Sequence, residues 1–551
     1  MSKAQLFHDF LRIAASGALA LTTMLPLAGA QTPGAFDASF GAGGKVTNLF
    51  VGPTTGSSSA VAMAVQADGK TILAGSCRAT DSSSDTACIA RLLPNGQIDT
   101  SFTGPAGNAP GKFLLPFAET EWSGIKVVEV GADGKILVAA ECSNGVELKI
   151  CTMRLTASGA LDPTFNGGSG PGGELQFTVP SGLPRVEALK IQPDGKTVFL
   201  FRCEPDRFCL QRINANGSLD TSFDGPNAAG RGVGSGNGRF ALELFGLGGE
   251  YPADLALASD GKLVATGTCI GPNGYGLCVV RLNSNGSFDS SFDGPNGGGN
   301  GRAVFGVNGV DYATGRSVAI QPDGKIVIGG YCGNSSASYR MCGVRLTTSG
   351  AFDPEFLGPT ANNPGRFRFA VSGIRSEQIR KVAVQNDGRI LLAGICENGV
   401  ANTNQNDFCF ARLNADGSFD ASFDGPNGNG NGRFQIGIAQ DMDILDGLAL
   451  RPDGRIVAGG TCSDTCGGSC GGNAFCAAQF SGGTQGYETC SLDIDGDGVV
   501  GVSDALLHAR IGFGFSGAAL TQGISFGSNA QRTTAVDLRN HLITQCGMVS
   551  P

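Results

Sequence analysis

The sequence predicts an all-β fold, a seven-bladed β-propeller of four-stranded blades, and three observations carry that prediction. An Asp-Gly-Lys/Arg turn recurs seven times, at Asp68, Asp133, Asp194, Asp260, Asp323, Asp387 and Asp453, with spacings of 61 to 66 residues. Alternating apolar runs flank every turn. The last repeat lacks its final segment, and a matching segment stands at the N-terminus. A fixed period of this kind sets the architecture before any local propensity does.

The elements of one repeat follow in order. Asp-Gly between alternating runs is a strong hairpin signal, so Val61–Gln66 and Lys70–Gly75 form a pair of strands. The second cysteine of each repeat opens a third strand, as in Cys88-Ile-Ala-Arg-Leu92. A fourth follows a Gly-rich linker: Lys112–Phe117, Arg239–Phe245 and Arg433–Ile438. Four strands in about 60 residues suit a propeller blade better than a solenoid coil, which runs nearer 20–30 residues. Between strands three and four lies Gly-x-x-Asp-x-x-Phe, starting at Gly96, Gly159, Gly217, Gly286, Gly350 and Gly417. Its seventh copy is Gly34-Ala-Phe-Asp37-Ala-Ser-Phe40, followed by Lys45–Phe50, whereas the last repeat stops at Phe480. Docking one end on the other closes a ring and removes two exposed sheet edges.

Composition agrees. The 88 glycines among 551 residues weaken any long helical bundle, and no third-residue glycine period supports collagen. At 41% hydrophobic residues the chain can bury a sizeable core. The net charge of −9 disfavours nucleic acid and anionic membrane surfaces as partners. Residues 1–30 have a secretory layout: Lys3 and Arg12, an apolar run from Ile13 to Leu27, and Ala28-Gly29-Ala30 as a small-x-small cleavage site. No later run reaches 18 apolar residues, so no transmembrane segment is expected. The expected domains are therefore a signal peptide (1–30), the propeller (31–482) and a tail module (483–551), in a protein exported to the periplasm, the cell surface or the exterior.

The 18 cysteines all follow the signal. Fourteen form one spaced pair per repeat: Cys77 with Cys88, Cys142 with Cys151, Cys203 with Cys209, Cys269 with Cys278, Cys332 with Cys342, Cys396 with Cys409, and Cys462 with Cys476. Cys466 and Cys470 lie in the last such loop, and Cys490 and Cys546 bracket the tail. Regular local pairing in an exported chain reads as disulfides. A metal site at Cys462, Cys466, Cys470 and Cys476 is the sharper alternative, but it lacks a CxxC spacing and a nearby histidine.

Two stretches, Val382-Ala-Val-Gln-Asn-Asp-Gly-Arg-Ile-Leu-Leu-Ala-Gly394 and Phe410-Ala-Arg-Leu-Asn-Ala-Asp-Gly-Ser-Phe-Asp-Ala-Ser-Phe423, resemble the delta-60 repeat of bacterial β-propellers. The resemblance recurs seven times over residues 34–480. It implies the fold and no reaction.

Within the propeller, the turn and motif aspartates recur in every repeat and read as turn-capping groups, because acid–base catalysis needs unlike environments. Residues 31–482 contain no histidine, which removes Ser-His-Asp, Cys-His and His-metal chemistry there. Strand alternation places the residues four and six positions before each hairpin aspartate toward the central channel. Glu129 and Lys190 are the charged members of the first set, Asp254 and Lys381 of the second, and they read as ion-pairing groups lining a wet channel, with a substrate site as the alternative. No catalytic residue is assigned. The loops carrying the cysteine pairs share one face of the ring and hold Tyr275 and Tyr339, which read equally as aromatics able to contact a ligand and as surface decoration without function.

The tail carries the sharpest motif, Asp493-Ile-Asp495-Gly-Asp497-Gly498-Val499-Val-Gly501-Val-Ser-Asp504. Asp493, Asp495, Asp497, the Val499 carbonyl and Asp504 occupy positions of a 12-residue calcium loop, with Gly498 at its sharp turn, so one calcium ion is the expected cofactor. The helix-like Ala505–Ile511 follows. A calcium loop with one helix resembles the half EF-hand of dockerin modules. A second copy ending in Leu538–Leu542 lacks the acids, so duplicated cohesin binding is not implied.

These readings point to an exported, non-enzymatic binding or scaffold protein with a calcium-binding, dockerin-like tail and an extracellular protein or carbohydrate partner. The alternative is a secreted carbohydrate-active enzyme, a glycosidase or lyase, anchored through its tail.

Overall fold

The computed structural model describes most of residues 32–482, short loop stretches excepted, and isolated positions between residues 506 and 538. The described strands form seven antiparallel sheets. Blades 1 to 6 run over residues 57–114, 122–177, 185–242, 251–305, 312–369 and 377–436. Blade 7 takes three strands from residues 442–480 and its outermost from Lys45–Val46. The first strand of each blade packs on the first strands of both neighbours, and this inner ring closes between Met442–Leu450 and Ser57–Val65.

Closure rests on several contacts. Lys45 and Val46 register with Ala478 and Ala477. Phe36 bridges and stacks on Phe480, ring centres 5.0 Å apart. Leu49 and Phe50 continue beyond the short strand and pack beside Phe475. The strand is thus shorter than the expected Lys45–Phe50, though the segment lies where the repeat pattern puts it.

Blade 3 departs from the expected count of four. Gly232–Gly234 pairs with Arg239–Leu242 as a fifth, outer strand. The linker between third and fourth strands is longest in this repeat, from Ile213 to Arg239, and the added length lets the chain fold back on itself.

Second and third strands are buried on both faces because each blade lies between two others, as along Ile326–Gly333. Full burial of one such Ile, Val or Leu stabilises by about 1.5–3 kcal/mol. Seven disulfides join these two strands near the ends farthest from the Asp-Gly hairpins. Cys77 bonds Cys88 in blade 1, Cys142 bonds Cys151 in blade 2, and Cys203 bonds Cys209 in blade 3. Cys269 bonds Cys278 in blade 4, Cys332 bonds Cys342 in blade 5, and Cys396 bonds Cys409 in blade 6. In blade 7 Cys462 bonds Cys476, which takes both thiols away from the alternative metal site. In every blade the first cysteine registers opposite the residue two before its partner, as Cys77 opposite Thr86, with Cα atoms 5.7–6.0 Å apart. Cys466, Cys470, Cys490 and Cys546 lie outside the described residues, as do residues 1–30 and the acidic loop.

Simple alternation fails at one place in every blade. The innermost strand carries a β-bulge seven positions before the hairpin aspartate, between Ala60 and Ala62, Ile125 and Val127, Val186 and Ala188, Pro252 and Asp254, Gly315 and Ser317, Ile379 and Lys381, and Leu445 and Gly447. A bulge inserts an unpaired residue and turns it to the other side. Opposite five of these bulges stands a glycine; a Cβ on Gly330 would lie 1.7 Å from the Thr314 carbonyl oxygen.

Candidate ligand-binding face

Antiparallel blades send all Asp-Gly hairpins to one face of the ring and all disulfide-bearing loops to the other. The hairpin face is governed by a repeated staple. In blades 1 to 6 a third-strand arginine (Arg91, Arg154, Arg212, Arg281, Arg345, Arg412) donates from Nε to the motif aspartate of its blade at 2.7–2.8 Å. The same guanidinium stacks 4.3–4.7 Å from the motif phenylalanine ring. Its Nη1 then donates to a backbone carbonyl of the next blade, from Ala157 round to Gly482. Burial alone would raise the aspartate carboxyls, but hydrogen bonds from residues two positions on, together with the arginine, hold Asp99, Asp162, Asp220, Asp289, Asp353 and Asp420 below the usual range.

Blade 7 makes the same joint with its residues exchanged. Gln479 occupies the arginine position and donates to Asp37 at 2.6 Å. Arg451 occupies the hairpin position held by Gln66, Gln192, Gln321 and Gln385 elsewhere, and it donates to Gln479 Oε1 (2.6 Å) and to the Pro94 carbonyl of blade 1 (2.9 Å). Blades 2 and 4 have Gly131 and Ala258 at that position. Two clefts of about 740 and 660 Å³ border these small residues. The motif glycines have φ near +90°, and a Cβ on Gly350 would lie 2.9 Å from the Gly294 amide of the preceding blade. No part of this machinery differs enough between blades to set an acid against a base.

The channel on the ring axis encloses about 230 Å³ and draws its lining from all seven blades. Glu129, Lys190, Asp254 and Lys381 all line it. Lys190 Nζ donates to Glu129 at 2.8 Å. Burial pulls the Lys190 ammonium down, but Glu129 and Asp254 outweigh it and raise the value. Asp254 accepts from Ser317 Oγ (2.8 Å) and the Val318 amide (3.0 Å), tying blade 4 to blade 5.

Alternation alone missed the bulged residues: Val61, Lys126, Glu187, Ala253, Arg316, Arg380 and Asp446. Five are charged, and none of the seven is buried, whereas the residue before each is. They form a charged collar toward the disulfide face. Lys126 pairs with Glu141 at 3.6 Å and Arg380 with Asp446 at 2.9 Å. Burial, aided by Glu141, pushes the Glu187 carboxyl up to about 7. Burial likewise raises Glu141 and Asp446 despite their basic neighbours. The signal was available in the sequence: position −7 from the hairpin aspartate is charged in five repeats and apolar in none but Val61 and Ala253.

Beside this collar, over blades 4 and 5, lies a row of tyrosines. Ring centres are 6.4 Å apart for Tyr251–Tyr275, 5.5 Å for Tyr275–Tyr312, 5.9 Å for Tyr312–Tyr339 and 4.9 Å for Tyr331–Tyr339. Tyr275 is 38% exposed. Arg316 joins row and collar: its guanidinium lies 5.5 Å from the Tyr331 ring, and Nη2 donates to the Tyr331 hydroxyl at 3.4 Å. Tyr275 and Tyr339, singled out from their loops, therefore belong to one cluster. Among the described residues, no group of three or more His, Cys, Asp or Glu is placed to hold a metal, and no helix is long and apolar enough to cross a membrane.

Six segments, 66–102, 131–165, 192–223, 258–292, 321–356 and 385–423, match a family described as a domain of unknown function (DUF5122) β-propeller. Curated proteins give no match. Among solved structures, the polysaccharide lyase Uly1 is similar at 9% identity and a TM-score of 0.40, over 84% of this chain and 94% of that one. Sqt1 from Chaetomium thermophilum is similar at 14% identity and 0.35, over 78% and 98%. A mutant of the NanB sialidase from Streptococcus pneumoniae gives 10% and 0.36, over 84% and 72%. The sequence-matched segments and the closed ring of seven sheets together make this chain a seven-bladed β-propeller.

Proposed function

We propose that the protein is an exported, non-enzymatic binding propeller that holds its ligand on the disulfide-bearing face, with a tail module that takes one calcium ion for docking or stability. The observation that carries this reading is the gathering of all five described tyrosines into one row at the channel mouth. Disulfides beneath the loops support it, since a pre-stiffened surface loses less entropy on binding. A glycan and protein binding array, probed with wild type and a Tyr275→Ala/Tyr339→Ala double variant, tests it. Ligands captured by wild type and weakened at least tenfold in the variant support the reading; capture indifferent to both changes overturns it.

For the tail, the support is the donor set Asp493, Asp495, Asp497, Val499 and Asp504, whose carboxylates repel one another without a cation. Leu507 and Leu538, in the two stretches expected to be helical, are fully buried. Chelator is expected to lower the melting temperature of wild type and to leave Asp493→Ala unchanged. Equal melting of wild type with and without chelator removes the ion.

One observation favours the carbohydrate-active alternative. Glu187 is a carboxyl raised to about 7 in an accessible mouth, the state a general acid requires. Glu129 and Asp254 suit that role poorly, being held by Lys190 and Ser317. Polysaccharide turnover abolished by Glu187→Gln would establish the enzyme reading.

A further inference from the structure

The aromatic residues of this propeller are divided by chemistry. Phenylalanine fills the core: Phe102, Phe165, Phe223, Phe292, Phe356 and Phe423 are all essentially inaccessible. Every described tyrosine lies instead in the one row on the disulfide face. Of the five, Tyr331 is buried, Tyr251, Tyr312 and Tyr339 are partly buried and Tyr275 is exposed. A surface that concentrates phenols offers flat apolar faces and hydrogen-bonding edges together, a combination suited to a ligand of rings fringed with hydroxyls. Successive steps of 5.5–6.4 Å along Tyr251, Tyr275 and Tyr312 match the spacing of linked sugar rings, and the Arg202 guanidinium, 4.4 Å from the Tyr251 ring, closes that end of the row.

Charge then narrows the class. The chain as a whole is acidic, at −9. The mouth reverses that sign: Lys126, Arg185, Arg316 and Arg380 stand against Glu141, Glu187 and Asp446. Lys126 and Arg380 are engaged by carboxylates, whereas Arg185 and Arg316 make no ion pair among the described residues. Arg316 is exposed and already in contact with the tyrosine row through Tyr331. Its planar fork matches a carboxylate or sulfate oxygen pair.

Resting on the binding reading above, we propose that the tyrosine row and Arg316 take an acidic oligosaccharide, its sugar rings on the tyrosine faces and its uronate or sulfate groups on the guanidinium. Nucleic acid, also anionic, is disfavoured by the negative charge of the rest of the surface.

Titration calorimetry with the full chain tests this using three probes of equal length: an oligogalacturonate, a sulfated oligosaccharide and a neutral cello-oligosaccharide. The uronate and sulfate arms distinguish the two acidic groups. Binding of either acidic probe, at least tenfold tighter than the neutral one, weakening with salt and falling at least tenfold in both Arg316→Gln and Tyr275→Ala, is the expected result. Arg316→Lys, which keeps the charge and loses the fork, should fall in between. Neutral binding as tight as acidic binding, acidic binding unmoved by Arg316→Gln, or no binding of any probe overturns the proposal. The binding reading survives those outcomes if the array still yields a ligand lost in the tyrosine double variant, and falls with the proposal if it does not.

Discussion

The two faces of the ring are built from the same seven repeats and follow opposite rules. On the hairpin face, one joint of arginine, aspartate and phenylalanine recurs from blade to blade, and where blade 7 changes its residues it keeps the contact by exchanging arginine and glutamine. On the disulfide face, the bridges recur but the side chains around them do not: tyrosines occupy blades 4 and 5 only, and the collar charges differ from blade to blade. Repetition marks what the fold requires of every blade. Asymmetry marks what the fold does not require, and so where selection for a ligand can act.

Four measurements would sharpen or break that contrast. The largest effect is expected on the hairpin face. Arg412 is almost fully buried beside Asp420, so Arg412→Ala strands a buried carboxylate and should cost about 3–5 kcal/mol in denaturant unfolding. A loss below about 1 kcal/mol would show the joint to be ornamental. Next comes a bridge: Cys269→Ser with Cys278→Ser should cost about 2–3 kcal/mol and loosen the loop that carries Tyr275. Unchanged unfolding would mean the loop is held by packing alone. Smaller is the coupling in blade 7. Arg451→Gln and Gln479→Arg should each destabilise, and the double exchange should recover about 1–2 kcal/mol of the summed loss. Simple additivity would mean that the two residues do not share a joint.

Last comes a pH dependence that separates the faces. The Glu187 carboxyl titrates near 7 when folded and near 4.3 when unfolded, so the folded chain binds more protons between those values. Stability from this group is therefore full below about 4.3 and declines as pH rises to about 7. The staple aspartates have depressed values and act oppositely, stabilising above about 4 and failing as the solution is acidified further. Glu187→Gln should lessen the neutral-side decline, the rest of which belongs to the other raised carboxyls Glu141, Asp446 and Asp443, and leave the acid limb unchanged. A wild-type curve already flat from about pH 5 to 8 would place Glu187 in open water.

Much of the ring was legible in the sequence because its signals are local and repeated. Asp-Gly turns gave the hairpins, cysteine spacing gave the bridges, and the displaced motif at Asp37 gave the closure. The collar was hidden for a physical reason. Alternation assumes two residues per pleat, and one bulge per inner strand breaks that count just at Lys126, Glu187, Arg316, Arg380 and Asp446, of which Lys126, Glu187 and Asp446 line the channel. Glu129, Lys190, Asp254 and Lys381 lie on the hairpin side of the bulge, where alternation still applies. The staple arginines were visible at a constant eight residues before the motif aspartate, yet their reach to the next blade is a tertiary fact that spacing does not encode. The tyrosine row joins Tyr251 to Tyr339 across two blades, and only the ring brings them together.

The closing strand has a kinetic consequence. Asp37 and Gln479 meet across 442 positions of chain, so the earlier-made of the two segments waits for the later before it can pair. Contacts of such long sequence separation form slowly. Until they form, Asn473–Phe480 presents a bare edge, an invitation to pair with another copy. Folding yield should therefore depend on chain concentration more steeply than the stability of the finished ring would suggest.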